Sequence, residues 1–149
     1  MTRAGTARPP TEETGMTADT FLRTTLRIDG WSTAVFGVVM LVASTALSEP
    51  LGLPTAWSIP FGVAMLGGAA ALGLIAGYPQ IPARYAAFVV VGNAASGAAL
   101  VLLAFTDVIP LTGLGVAFLL VGALVVAIYA TMEFIGLRRM TTVTPRQPA

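Results

Sequence analysis

LTGLGVAFLLVGALVVAIYATMEFIGL, residues 111–137, holds one charged side chain, Glu133, in a run long enough to cross a bilayer. About 20 predominantly apolar residues suffice to span a hydrocarbon core as a helix. Three similar runs precede it, from Trp31 to about Leu47, from about Ser58 to Gly77 and from about Arg84 to Phe105. Between the runs lie SEPLGLPTAW (48–57), YPQIPA (78–83) and TDVIP (106–110), where proline, glycine and polar residues interrupt the pattern. In lipid every backbone polar group must find its partner within the segment, so these runs predict helices. None shows the period-two alternation of barrel strands. The expected fold class is all-α, a polytopic membrane protein built as a four-transmembrane-helix bundle.

Composition points the same way. Of 149 residues, 56% are apolar and 10% charged, with a mean hydropathy of +0.83. Soluble domains are about 45–50% apolar and about 25% charged. The expected organisation is a disordered tail over 1–16, a transmembrane domain over 17–139 and a cytoplasmic tail over 140–149. Glu12 and Glu13 follow the first arginines, and no apolar run starts nearby, so 1–16 does not read as a secretory signal. Thr17 to Asp29 reads as the charged lead-in to the first span.

All eight cations are arginines: Arg3, Arg8, Arg23, Arg27, Arg84, Arg138, Arg139 and Arg146. Under four spans they all fall on one side, while the opposite connections carry only Glu49 and Asp107. The positive-inside rule then puts both termini in the cytoplasm, N-in/C-in, in the cytoplasmic (inner) membrane.

The chain has no cysteine and no histidine. Disulfides, thiol chemistry, His-ligated metals and Ser-His-Asp triads are thereby excluded. No phosphate-cradling glycine loop and no basic–aromatic surface stretch occurs, so neither a cofactor nor a nucleic-acid partner is expected.

The intramembrane polar candidates are Asn93, Tyr129, Glu133 and Asp29. Asn93 lies nine residues past Arg84, about 13 Å along the axis at 1.5 Å per residue. Counting back nine from Arg138 reaches Tyr129, so these two are expected at matching depth, as a polar track or one interhelical hydrogen bond. Glu133 and Asp29 are expected at the headgroup boundary; Glu133 reads either as a proton-carrying carboxylate at the mouth of a cavity or as a salt-bridge partner of Arg27, Arg84 or Arg138, in a cluster that Asp29 joins. Ala69, Gly73 and Gly77 repeat every four residues and predict a helix-packing face. Trp31, Trp57, Tyr78 and Tyr85 read as interfacial anchors.

LRIDGW (26–31), GNAASG (92–97) and EFIGLRR (133–139) together resemble a family of small, uncharacterised four-helix inner-membrane proteins of bacteria. The resemblance covers about residues 24–139. It implies a four-helix membrane fold and supplies no activity; where such sequences often carry Trp after the Asn, this chain has Ala94-Ala95-Ser96. The function expected is that of a non-enzymatic membrane protein, an interaction partner or subunit whose contacts are the bilayer and either a second copy or another membrane protein. The alternative expectation is a small oligomeric transporter or channel.

Overall fold

The structure is a computed structural model and describes residues 10–143. The outer parts of both expected tails, 1–9 and 144–149, lie outside the described residues. Five helices make up the fold: α1 (Pro10–Val42), α2 (Ser44–Leu51), α3 (Thr55–Gly77), α4 (Ala83–Phe105) and α5 (Gly113–Val143). No strand occurs among the described residues. Four segments are long and apolar enough to cross a membrane: Ala18–Val42, Thr55–Gly77, Ala83–Phe105 and Gly113–Thr142.

The second and third runs keep close to their expected bounds; the fourth continues past Leu137 to Val143, and the first departs further. Helix α1 starts at Pro10, within the segment expected as tail, and ends at Val42; α2 follows after a break at Ala43. The charges of the supposed lead-in are accommodated by the fold. Arg23 donates to the carbonyls of Ala76 (2.6 Å), Tyr78 (2.7 Å) and Pro79 (3.2 Å), and pairs with Asp19 at 2.8 Å. Those carbonyls close the end of α3, where no intrahelical N–H remains to satisfy them. Leu22 and Leu26, one turn apart, are fully buried, so this segment is core. Trp31 consequently sits in mid-helix and 75% exposed, a correction to its expected place at a span end.

At the other end, α2 closes on Gly52 in the left-handed conformation (φ 63°). Its N–H bonds Glu49 O, and Leu53 N–H bonds Ser48 O, the paired cap that ends a helix on glycine. Thr112 then ties this corner to α5. Its N–H meets Leu51 O at 3.0 Å, its hydroxyl meets Pro50 O at 2.7 Å, and the same hydroxyl caps α5 by accepting from Gly115 N–H.

Neighbours in space run α3–α1–α5–α4; α3 and α4 are consecutive in sequence yet hardly meet. Two apolar clusters fill the two ends of the bundle. Leu22, Leu26, Leu72, Ala76, Ile81, Ala86 and Val89 form one, at the end where Arg23 meets the α3–α4 connection. Met40, Leu51, Leu53 and Ile109 form the other, with Trp57 tilted against Phe61 beside them. Between these clusters α1, α4 and α5 bring polar side chains together.

On α3 the expected packing residues do not make the close approach within the described chain. A Cβ placed on Gly73 or Gly77 would meet nothing within 4 Å, so their open sides point away from the bundle. The close approach is made elsewhere, where Gly37 on α1 crosses Gly62 on α3. Beside Gly30 on α1, the Ala69 carbonyl and the Gly73 backbone nitrogen of α3 stand 3.6 and 3.9 Å from where a Cβ would sit.

Candidate polar site in the bundle interior

Each helix contributes to the interior through a stripe spaced three or four residues, as a 3.6-residue period requires. On α1 the buried positions include Ala18, Leu22, Leu26, Asp29, Gly37 and Met40. On α5 they include Leu119, Ala123, Ala130, Glu133 and Gly136. Asp29 and Glu133 thus occupy places in rows that are otherwise almost entirely apolar or small. On α4 the row Ala86, Val89, Asn93, Gly97 turns Asn93 toward both.

Asn93 Nδ2 donates to Asp29 Oδ2 and to Glu133 Oε2, each at 2.9 Å. A side-chain amide has two hydrogens on its nitrogen, and here each is used by one carboxylate. The two acceptor oxygens lie no farther apart than twice that distance. Asp29 is 3% exposed and Glu133 0%. The second Asp29 oxygen accepts from the Thr33 hydroxyl at 3.0 Å. Glu133 Oε1 has no hydrogen-bond partner, and no other buried side-chain nitrogen or oxygen among the described residues shares that condition. The centre is therefore asymmetric: Asp29 is satisfied on both oxygens and Glu133 on one.

The expected arginine partners are corrected. Among the described residues the ion pair present is Arg23–Asp19. Arg84 lies over the Tyr85 ring, Arg138 over Phe134 and Arg139 over Phe21. None of them reaches the two buried acids. The headgroup placement falls with them. Asp29 is near the middle of Ala18–Val42, and Glu133 is held level with Asn93, in mid-α4. The expected Asn93–Tyr129 match is also displaced by one turn. The Tyr129 hydroxyl instead lies 3.3 Å from Ser32 Oγ on α1, beside the centre. The reason is that α5 continues to Val143, so counting inward from Arg138 used the wrong end of the ruler.

Two shallow grooves flank the centre. One, of about 380 Å³, runs between α1 and α5 past Thr25, Ile28 and Tyr129. The second, of about 520 Å³, runs between α4 and α5 and has Asn93 in its wall. Its remaining lining is mostly alanine, glycine and aliphatic. No cluster of three or more metal-ligating side chains occurs among the described residues.

Two carboxyl groups are thus held on one neutral amide inside the helix bundle, with no guanidinium of the described residues in contact. Ionisable groups at such depth are costly and face interiors or ion pathways. No protein-family model, curated protein or solved structure matches the chain.

Proposed function

We propose that the protein is a small non-enzymatic transporter subunit of the cytoplasmic membrane, with four spans and both termini cytoplasmic. Its working centre is the Asp29–Asn93–Glu133 triad, which takes up and gives back a cation. The observation that carries this reading is the buried acid pair without an arginine partner among the described residues. The competing account of these acids is a structural ion-pair network, and among the described residues neither acid has an arginine partner. One protomer is too closely packed at the triad to hold a water-filled route, so the reading includes a homo-oligomer or an alternate packing of the helices. The likeness of LRIDGW, GNAASG and EFIGLRR to small four-helix inner-membrane proteins supports the location and adds no activity.

The test is flux. In proteoliposomes under an imposed proton, sodium or potassium gradient, the full chain is expected to dissipate at least one gradient faster than empty vesicles. Glu133→Gln and Asp29→Asn are expected to slow that flux by at least about tenfold, equivalent to about 1.4 kcal/mol of lost interaction. Wild-type vesicles as tight as empty ones to all three ions would refute the reading.

Topology is tested separately, since the chain has no native thiol. Single cysteines at Asp107 and Thr141, both exposed, are expected to react with an impermeant reagent from opposite sides of the membrane. Reaction from one side only would exclude four spans.

A second reading, an interaction partner in a larger membrane assembly, is favoured by the outward side of α3. There Gly73 and Gly77, one turn apart, have open space where a Cβ would stand among the described residues.

A further inference from the structure

We propose that the groove between α4 and α5 binds a lipophilic organic cation, its apolar surface along the groove and its charge close to Asn93. The inference rests on the transporter reading above and names the substrate class for the same centre.

Three observations converge. The groove, about 520 Å³, has the size of a small-molecule site, which is typically about 300–1,000 Å³. Its walls are alanine, glycine and aliphatic side chains, among them Gly97 and Ala98 on α4 and Ala123 and Ala127 on α5. Such walls accept a rigid apolar body and offer no polar competitor for it. At one place only does the lining turn strongly polar, at Asn93, with Thr131 nearby.

Behind Asn93 stand the two carboxyl groups, each 2.9 Å from its amide nitrogen. Both amide hydrogens are already committed to them, so the amide nitrogen has no donor left for an anionic head. A cationic head is drawn to the negative charge behind that wall. Charge complementarity thus selects the occupant: a lipid tail would use the apolar walls but ignore the acids.

Tetraphenylphosphonium and tetraphenylborate have nearly the same shape and opposite charge, and they separate these cases without any mutation. Equilibrium binding to the full chain in nanodiscs is compared with binding to empty nanodiscs of the same lipid. The cation is expected to bind at least about tenfold more tightly than the anion, about 1.4 kcal/mol. Ala98→Leu and Ala127→Leu, which fill the groove from opposite walls and change no charge, are each expected to weaken cation binding by a similar factor. Glu133→Gln is expected to weaken it too, and the leucine variants keep the proposal testable if that variant does not fold. Equal binding of both ions would make the groove a slot for lipid tails and overturn the proposal. Absence of protein-dependent cation binding would also overturn it, while gradient flux sensitive to Glu133→Gln would leave the transporter reading standing. Tight cation binding without flux of any ion would keep the site and sink the transporter reading.

Discussion

Asn93→Leu is expected to be the most damaging single substitution in the bundle interior, costing about 3–5 kcal/mol of stability. The side chains are similar in volume, so little of that cost is packing. What disappears is the pair of N–H donors that Asp29 Oδ2 and Glu133 Oε2 share at 2.9 Å. Two buried acids would then face each other with nothing between them. Magnitude separates this from the bland alternative. An ordinary interhelical hydrogen bond in a membrane is worth about 0.6 kcal/mol. Breaking one partner from a buried charge costs several times more, because the charge stays behind. The second half of the prediction concerns rescue. Glu133→Gln added to Asn93→Leu is expected to recover most of the loss, since a neutral amide can itself donate to Asp29. Reversible unfolding of the single and double variants in bicelles measures both numbers. A cost below about 1 kcal/mol with additive variants would reduce the triad to one neutral hydrogen bond.

The helices were legible in the sequence and the charges were not, for one physical reason. Long apolar runs report the solvent around a segment, and α3 and α4 keep close to their expected bounds. A charge inside or beside a run is ambiguous, because it fits the headgroup layer or a buried partner equally well. Asp19, Arg23, Arg27 and Asp29 read locally as a charged lead-in, which starts the first span at Trp31. Arg23 is instead spent on Asp19 and on three carbonyls at the end of α3, contacts more than 50 residues apart along the chain. No local pattern reports such a pairing. A usable signal did exist for the acids. Asp29 follows Leu22 and Leu26 at helical spacing, and Glu133 lies between Ala130 and Gly136 in the same way. A carboxylate in register with a buried stripe is itself buried, whatever its distance from the nearest arginine. Depth counting placed Asn93 correctly near mid-span, yet it paired Asn93 with Tyr129. The missing turn came from ending α5 at Leu137 rather than Val143.

Glycines divide in the same manner, and the division gives the second large effect. Gly62→Leu is expected to separate α1 from α3 and to lower stability by more than the about 1–3 kcal/mol usual for an overpacked core. A Cβ at Gly62 would stand 2.9 Å from Gly37 O and 2.7 Å from Leu41 Cγ. A flexible leucine can yield, but a backbone carbonyl in mid-helix yields only if the helix moves. Gly73→Ala is expected to have the opposite sign, since its Cβ would meet nothing within 4 Å. Replacing a mid-helix glycine by alanine gains up to about 1 kcal/mol from propensity alone. The pair is therefore read as a difference in sign by unfolding in bicelles at low protein concentration. Repeating it at high protein-to-lipid ratio adds a second use. If Gly73→Leu is harmless when dilute and disruptive when concentrated, the smooth side of α3 is a contact between copies, and the transporter subunit has its oligomer. Should Gly73→Leu be as damaging as Gly62→Leu even when dilute, the assignment of Gly37–Gly62 as the crossing of α1 and α3 is wrong.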